Sequence, residues 1–592
     1  MTSIPRRTSK AAGARALALA LRLLTLVALA ADCTAGVGGS SSGPTADAGF
    51  PGASSGGTNG GFGRDAGVIG SGGAAGSDNL PPEQEVDTSF QVPVATGTYV
   101  WVANPSSGRV AYIDASTLTV KTVEAGNAPT YLSAIPGATD AVIVLNVLSH
   151  DATVMRAAGG RLTSTMVPGI TPLANAWAVS PDGRFALAWT DSRRALADPA
   201  RKNSLEGFQD LTAVDLAATP PVATTIAVGY RPVSVTFATG GAQAFVVTQD
   251  GATVVSLPSA GAGSVGVVRN VALTEDPTED ADTRDVSVTA DGRAVVRREG
   301  SADVRIVNLA TGAAGVVTLS GPVTDLDVTS DGARAIAVVR QTAEVAILPL
   351  ATAASDASTV LRETVDGEVI GSAVLTADGK QAVLYSNAAT SERLIVLDTT
   401  SGMYRIVRVH ALVLSVLLTP DGQFAVVLHR QAPPVPDGGV TVADGGAIDG
   451  AAADAAATST ADAGTTAVVP VIANAFSVIP LDGTRAGRIQ ETTAAPNAVA
   501  LAPGSDRALV TVSDTRAKAY GAYVVGIPAL DVTALSLASP PIASGVVAAA
   551  NRGYVAQSHP EGRITFIPFA GGPPQTLTGF DLGARVVDGV TP

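Results

Sequence analysis

Short apolar runs broken by polar turns make up most of this chain. The clearest example sets Ala411 to Leu418 and Phe424 to Leu428 on either side of Thr419-Pro420-Asp421-Gly422-Gln423. Variants of that turn recur at Ser180-Pro181-Asp182-Gly183-Arg184, Thr289-Ala290-Asp291-Gly292-Arg293, Thr329-Ser330-Asp331-Gly332 and Thr376-Ala377-Asp378-Gly379-Lys380. Glycine reaches positive φ without a Cβ clash, and an aspartate side chain can accept hydrogen bonds from the turn backbone. An Asp-Gly pair between two β-rich runs therefore predicts a hairpin. Each copy reads as a strand, a tight turn and a second strand.

The spacing of the copies gives the unit. Successive aspartates lie 40 residues apart from Asp291 to Asp331, then 47 to Asp378 and 43 to Asp421. The 109 residues from Asp182 to Asp291 hold two long units around a degenerate turn at Thr239-Gly240-Gly241. From Asp421 to the degenerate turn at Pro503-Gly504-Ser505-Asp506 is 85 residues, one unit plus an insertion. The first unit shows what such a length contains: Thr98 to Ala103, Arg109 to Asp114, Leu118 to Val123 and Tyr131 to Ile135, with turn residues between them. About four short strands per unit is the size of a propeller blade. With weaker runs at Ile542 to Ala550 and Ala584 to Val587, the inner strands number about ten. The first unit lacks an innermost strand and the last run lacks partners, so pairing the two is expected to close the ring through both termini. The expected fold is all-β: a β-propeller of four-stranded blades, one closed ring of about 8–10 blades within residues 94–592. Two smaller rings, or fewer blades with some units degraded, are the alternatives.

The segment from Tyr99 to Pro129, with Ser180-Pro181-Asp182-Gly183, resembles the YVTN-type β-propeller repeat: a Tyr-Val strand, an Asn-x-x-Ser-Gly turn, a Val-x-x-Ile-Asp strand, a Gly-x-x-Pro link and a closing Ser-Pro-Asp-Gly. The resemblance runs from Thr98 to the C-terminus with decaying copies. It implies a bacterial surface propeller. Some proteins with similar repeats are lactonase-like hydrolases or quinoprotein-like dehydrogenases.

Composition narrows the classes further. Hydrophobic residues are 46% of the chain and aromatics 4%, so the core must be built from Val, Ala, Leu and Ile, which suits many short strands. A net charge of −14 argues against nucleic acid as a partner, since that footprint needs clustered Lys and Arg. Cys33 is the only cysteine, which excludes intrachain disulfides, Cys-based zinc sites and iron–sulfur clusters. No cofactor is expected.

Residues 1–32 read as a secretory signal. Arg6, Arg7, Lys10 and Arg15 precede an apolar stretch from Ala16 to Ala30 that is too short to span a membrane. It ends at Leu29-Ala30-Ala31-Asp32-Cys33, which resembles a bacterial lipoprotein signal and makes Cys33 the expected lipid attachment. Asp32 departs from the small residue usual before that cysteine. Ordinary cleavage after Ala30 is the rival. Residues 33–93 are dominated by Gly, Ser, Ala, Thr, Asp and Pro and read as a flexible tether, with an end-to-end distance on the order of 40 Å. The expected location is the bacterial cell envelope, with the chain lipid-anchored to an outer membrane or cell surface.

Candidate chemistry is thin. If the Asp-Gly turn joins each innermost strand to the second, the second-to-third turns and the links between blades share the opposite face. Three irregular segments fall there: Thr190 to Asp210, the acidic link from Glu275 to Asp285, and an Ala/Gly-rich insertion at 431–469 expected to be disordered. His150, His410, His429 and His559 are expected in loops of that face, and Asp191, Arg193, Arg194, His410, His429 and Arg430 are its candidate binding residues. His410 and His429 with loop carboxylates could build a metal or acid–base site, although no HExxH or HxH spacing supports one. The acidic link could bind Ca²⁺, although it lacks the Asp-x-Asp-x-Asp-Gly pattern. Arg297, Arg298 and Arg340 follow strand interiors and are expected to line the channel or cap loops. No catalytic residue and no metal ligand is assigned. The expected role is binding or scaffolding for a protein, glycan or envelope component, with a propeller enzyme as the alternative.

Overall fold

A computed structural model describes residues 93–192, 208–258, 263–276, 278–430 and 474–579. They form ten four-stranded antiparallel sheets, each made of four consecutive strands. Blades 1 to 10 span residues 94–124, 129–168, 176–227, 232–271, 284–318, 325–364, 372–408, 413–491, 496–536 and 541–578. The chain is a ten-bladed β-propeller.

Burial sets the order within a blade. Second and third strands such as Phe424–His429 and Ala475–Pro480 are buried along their whole length, while the fourth, as in Val222–Ala227, is largely exposed. The apolar clusters cross from one blade to the next: Ile336, Val338 and Val345 of blade 6 pack on Ala373, Leu384 and Ile395 of blade 7. Flat faces of Val, Ala, Ile and Leu stack closely, which explains a large core with few aromatics.

Closure differs from the expected arrangement. Blade 1 carries its own innermost strand, Val94–Ala95, paired through Val94 with Trp101 and through Ala95 with Val100. The ring closes by packing instead of a shared strand. Val100, Ile113 and Ala115 of blade 1 bury against Ala543, Tyr554, Ile564 and Phe566 of blade 10, and the Tyr554 hydroxyl donates to the Pro93 carbonyl at 2.9 Å. A two-residue strand is too short to show as an apolar run. The run at 584–587 lies outside the described residues.

The Asp-Gly turns do join first to second strands. Each is a small network around a buried hydroxyl. Thr419 Oγ1 donates to Asp421 Oδ1 at 2.5 Å and accepts from the Phe424 amide at 3.0 Å, while Asp421 Oδ1 accepts from the Gln423 amide. Ser180, Thr289, Thr329 and Thr376 do the same in their turns. The glycines have φ near +70° to +80° and also meet the preceding blade. A Cβ on Gly332, Gly379 or Gly422 would come within 3.1, 2.9 or 3.1 Å of Thr289, Thr329 or Thr376. Gly183 is tighter, with the Pro136 carbonyl in the way of any side chain. The Asp421 amide reaches Ser505 of blade 9, the Thr239 amide reaches Ala290 of blade 5, and Asp140 of blade 2 accepts from Thr96 and Thr98 of blade 1. These turns make a belt of contacts across successive blades on one face.

Candidate functional site on the link face

Second-to-third turns and inter-blade links lie on the opposite face. The link has its own packing rule. Gly126 and Gly229, each three residues before a proline, sit where a Cβ would strike Asp151 and Asn146, or Asp250 and Thr248, of the adjoining second-to-third turn. Asp250 Oδ1 accepts from the Tyr230 amide at 2.9 Å, and Ala128 and Arg231, each directly before its proline, adopt φ of 54° and 52°. The Gly-x-x-Pro link is therefore shaped by a hydrogen-bonded corner.

Around blades 4 to 8 this face is held by charged or polar side chains rather than by turns. Buried Arg284, the first residue of blade 5, donates to the Gln249 carbonyl of blade 4 at 2.9 Å and lies 3.6 Å from Glu279. Burial pulls its guanidinium below the ordinary value, and Glu279 and Asp250 oppose that shift. Glu279 also faces Arg298 at 3.6 Å, and Arg297 pairs with Asp285 at 2.6 Å. Asp325, only 5% exposed, opens blade 6 and accepts from the Leu326 amide at 2.9 Å and from the Ala373 amide of blade 7 at 2.6 Å. Loss of solvent pushes its carboxyl upward against those two hydrogen bonds and the charge of Arg297. Arg430 donates to the Ala389 carbonyl of blade 7 at 2.7 Å.

The acidic link is engaged with its neighbours. Glu275 pairs with Arg305 at 2.8 Å, Glu279 accepts from Thr274 at 2.6 Å, and Asp276 accepts from Thr278. Asp280 caps the 3-10 turn Ala281–Thr283. Among the described residues no group of three or more His, Cys, Asp or Glu side chains is arranged to hold a metal.

The sequence-predicted site residues fall into different settings. His150, His410 and His559 lie in turns or links of this face, and His410 is exposed with φ of 58°. His429 does not lie in a loop: it is the last residue of the strand Phe424–His429 and is 2% exposed. Its Nδ1 faces the Leu412 carbonyl at 3.2 Å and its Nε2 faces Ser477 Oγ at 2.7 Å. A carbonyl can only accept, so Nδ1 carries the proton and Nε2 accepts from the serine. Burial holds the imidazole neutral, with its pKa down at about 4. Neither nitrogen has a lone pair left for a metal, and the ring serves as a clasp across the base of the blade 8 turn. Asp191 is buried, its amide donating to Asn175 Oδ1 at 2.7 Å. Arg193, Arg194, Cys33 and the insertion at 431–469 lie outside the described residues. Arg297 and Arg298 end the second strand of blade 5, and Arg340 starts a 3-10 turn in blade 6.

Arg284 and Asp325 were not singled out from sequence. A charge at the first position of an inner strand, directly after a link, is the signal that could have found them.

No protein-family model matches the chain, and no curated protein does. Solved structures are similar to it at low identity. Hydrazine synthase from Kuenenia stuttgartiensis is 15% identical with a TM-score of 0.29, over 57% of this chain and 99% of that one. AztD from Citrobacter koseri is 12% identical with a TM-score of 0.32, over 56% of this chain and 86% of that one. A eukaryotic initiation factor is 10% identical with a TM-score of 0.45, over 82% of this chain and 96% of that one. Among the described residues no helix is long and apolar enough to cross a membrane.

Proposed function

We propose that this chain is an exported, membrane-anchored propeller that serves as a binding and scaffold module, engaging a protein, glycan or other envelope component through its link face. The observation that supports this reading most is the contrast between the two faces. One is a belt of short turns packed on one another, while the other carries the longer connections over a base already fixed by paired charges. Connections can change there without disturbing the blades. The arrangement at 29–33 supports the anchor, with Cys33 as the lipidated residue.

Capture of partners from envelope extracts by the full chain tests the binding role. The comparison is between a link-face variant, Arg516→Glu with Lys518→Glu, and an Asp-Gly-face variant, Lys380→Glu, all three sites being exposed. The link-face variant is expected to lose the captured partner and the other to keep it. Equal capture by both, or the reverse, overturns the assignment of the face. Cys33→Ser is expected to release the chain from membranes, and unchanged fractionation overturns the anchor.

A further inference from the structure

A cleft opens on the outer rim at the seam of blades 2 and 3, at the blade ends away from the link face. It encloses about 550 Å³, inside the range of roughly 300–1,000 Å³ usual for small-molecule sites. Strand register sets its blade 2 wall. Arg156 stands opposite Thr163 and Val154 opposite Thr165, so the four side chains share the face turned to blade 3. Arg156 Nη2 donates to the Leu216 carbonyl of blade 3 at 3.2 Å. That bond fixes the guanidinium on the wall and leaves most of its N–H groups over. No carboxylate among the described residues pairs with it. The half-buried Thr165 hydroxyl makes no hydrogen bond among the described residues, and Thr163 Oγ1, which donates to the Arg156 carbonyl at 3.3 Å, can still accept.

Blade 3 supplies the facing wall from Leu216, Pro220 and Pro221. The turn that carries it is held on its own account, with Asp215 Oδ1 accepting from the Ala217 and Ala218 amides at 3.0 and 3.3 Å. Prolines have no N–H to offer, so this side presents C–H surface. An arginine that reaches a carbonyl of the next blade is by itself a seam joint: Arg405 does the same to Pro480 and Leu481 of blade 8, at 3.2 and 2.7 Å. At blades 2 and 3 the arginine also stands in a cleft, with donors to spare and an apolar wall before it.

These walls match a ligand with one negative charge, hydroxyls along an edge and a C–H face. A guanidinium forks a planar carboxylate with two parallel hydrogen bonds. It balances a single charge, and a dianionic phosphate would stay uncompensated in a chain of net charge −14. A pyranose ring carries hydroxyls around its edge and C–H groups on its faces. We propose that this cleft binds a hexuronic acid residue of an acidic glycan. The carboxylate lies on Arg156, ring hydroxyls meet Thr163 and Thr165, and a C–H face rests on Pro220 and Pro221. A peptide carboxylate would use the arginine and leave the two hydroxyls idle.

The test titrates the full chain with glucuronate, galacturonate, glucose, inorganic phosphate and N-acetylglutamate, the last standing in for a peptide. Calorimetry and saturation-transfer NMR read the binding. At least one hexuronate should bind with a Kd of about 1 mM, the strength open to a ligand of that size, and the other three probes at least tenfold more weakly. Arg156→Gln, whose amide can still donate to Leu216, should weaken hexuronate binding at least tenfold, and Arg156→Lys, which keeps the charge without the fork, should fall between. Thr165→Val should weaken it about threefold and provides the readout should Arg156→Gln fail to fold. Arg405→Gln should bind as the parent does. The proposal is overturned by no hexuronate binding at about twenty times the expected Kd, by glucose, phosphate or N-acetylglutamate binding as tightly, or by hexuronate binding that Arg156→Gln and Thr165→Val leave unchanged.

Discussion

The two faces of the ring solve the same problem, holding blade to blade, with opposite chemistry. On the Asp-Gly face the joints are local and repeated: a buried hydroxyl, a carboxylate and a glycine within each turn, with the glycine against the previous blade. On the link face around blades 4 to 8 the joints are singular and long-range: Arg284 to Gln249, Asp325 to Ala373 and Arg430 to Ala389, with His429 clasping the base of blade 8 beside them. A repeated local joint leaves little room for variation. A singular joint made by one side chain leaves the surrounding backbone free to differ from blade to blade.

The largest effect expected from this contrast comes from a methyl group. Gly183→Ala adds a Cβ at φ of +68° directly against the Pro136 carbonyl. Left-handed strain plus a forced backbone shift should cost about 4 kcal/mol by chemical denaturation. Gly300→Ala, on the link face at φ of +72° with nothing within 4 Å, carries the strain without the collision. It should cost only about 1 kcal/mol, and equal losses at the two sites would remove the belt from the account.

Acid should act through His429. Its pKa is about 4 in the fold against an ordinary 6.5, so between those values the unfolded chain binds the extra proton. The contribution is fully present above pH 6.5, falls as pH drops towards 4, and amounts to about 3 kcal/mol. His429→Gln should flatten that part of the stability–pH curve, and an unchanged slope would count against the clasp.

Smaller effects test individual hydrogen bonds. Asp325→Asn turns an amide donor or a weaker acceptor towards two backbone N–H groups and should cost about 2 kcal/mol at neutral pH. Thr419→Val removes the hydroxyl that serves both Asp421 and the Phe424 amide and should cost about 1.5 kcal/mol. If Thr419→Val proved the more damaging of the two, the local joint would be the stronger.

The architecture was legible because its signal is repeated. Asp-Gly between apolar runs has a turn geometry behind it, and five intact copies left blades 1, 2, 4, 9 and 10 to be inferred from degenerate turns and weaker apolar runs. The expected strand order, with the turn joining first to second strands, is the order the structure has. Four features were hidden, each for a physical reason. Val94–Ala95 is too short for periodicity. The role of Ser180, Thr289, Thr329, Thr376 and Thr419 looks like ordinary turn polarity until their burial is seen. His429 was expected in a loop because histidine is polar, yet Ser477, 48 residues later in sequence, completes its hydrogen bonding inside the strand pair. Arg284 and Asp325 depend on partners in other blades, which no local pattern records.

Closure by packing has a mechanical consequence. The chain enters the propeller at Pro93, and the carbonyl of that residue is held by Tyr554 of the last blade. Any pull applied at this point reaches the seam between blades 1 and 10 before it reaches the interior of any sheet. Val94–Ala95 would be drawn away from Tyr99–Asn104 first, two residues of ladder against an entire strand elsewhere. The seam is therefore the ring's fuse: under tension it should part at blade 1 while the belt on the Asp-Gly face still holds the remaining blades in line.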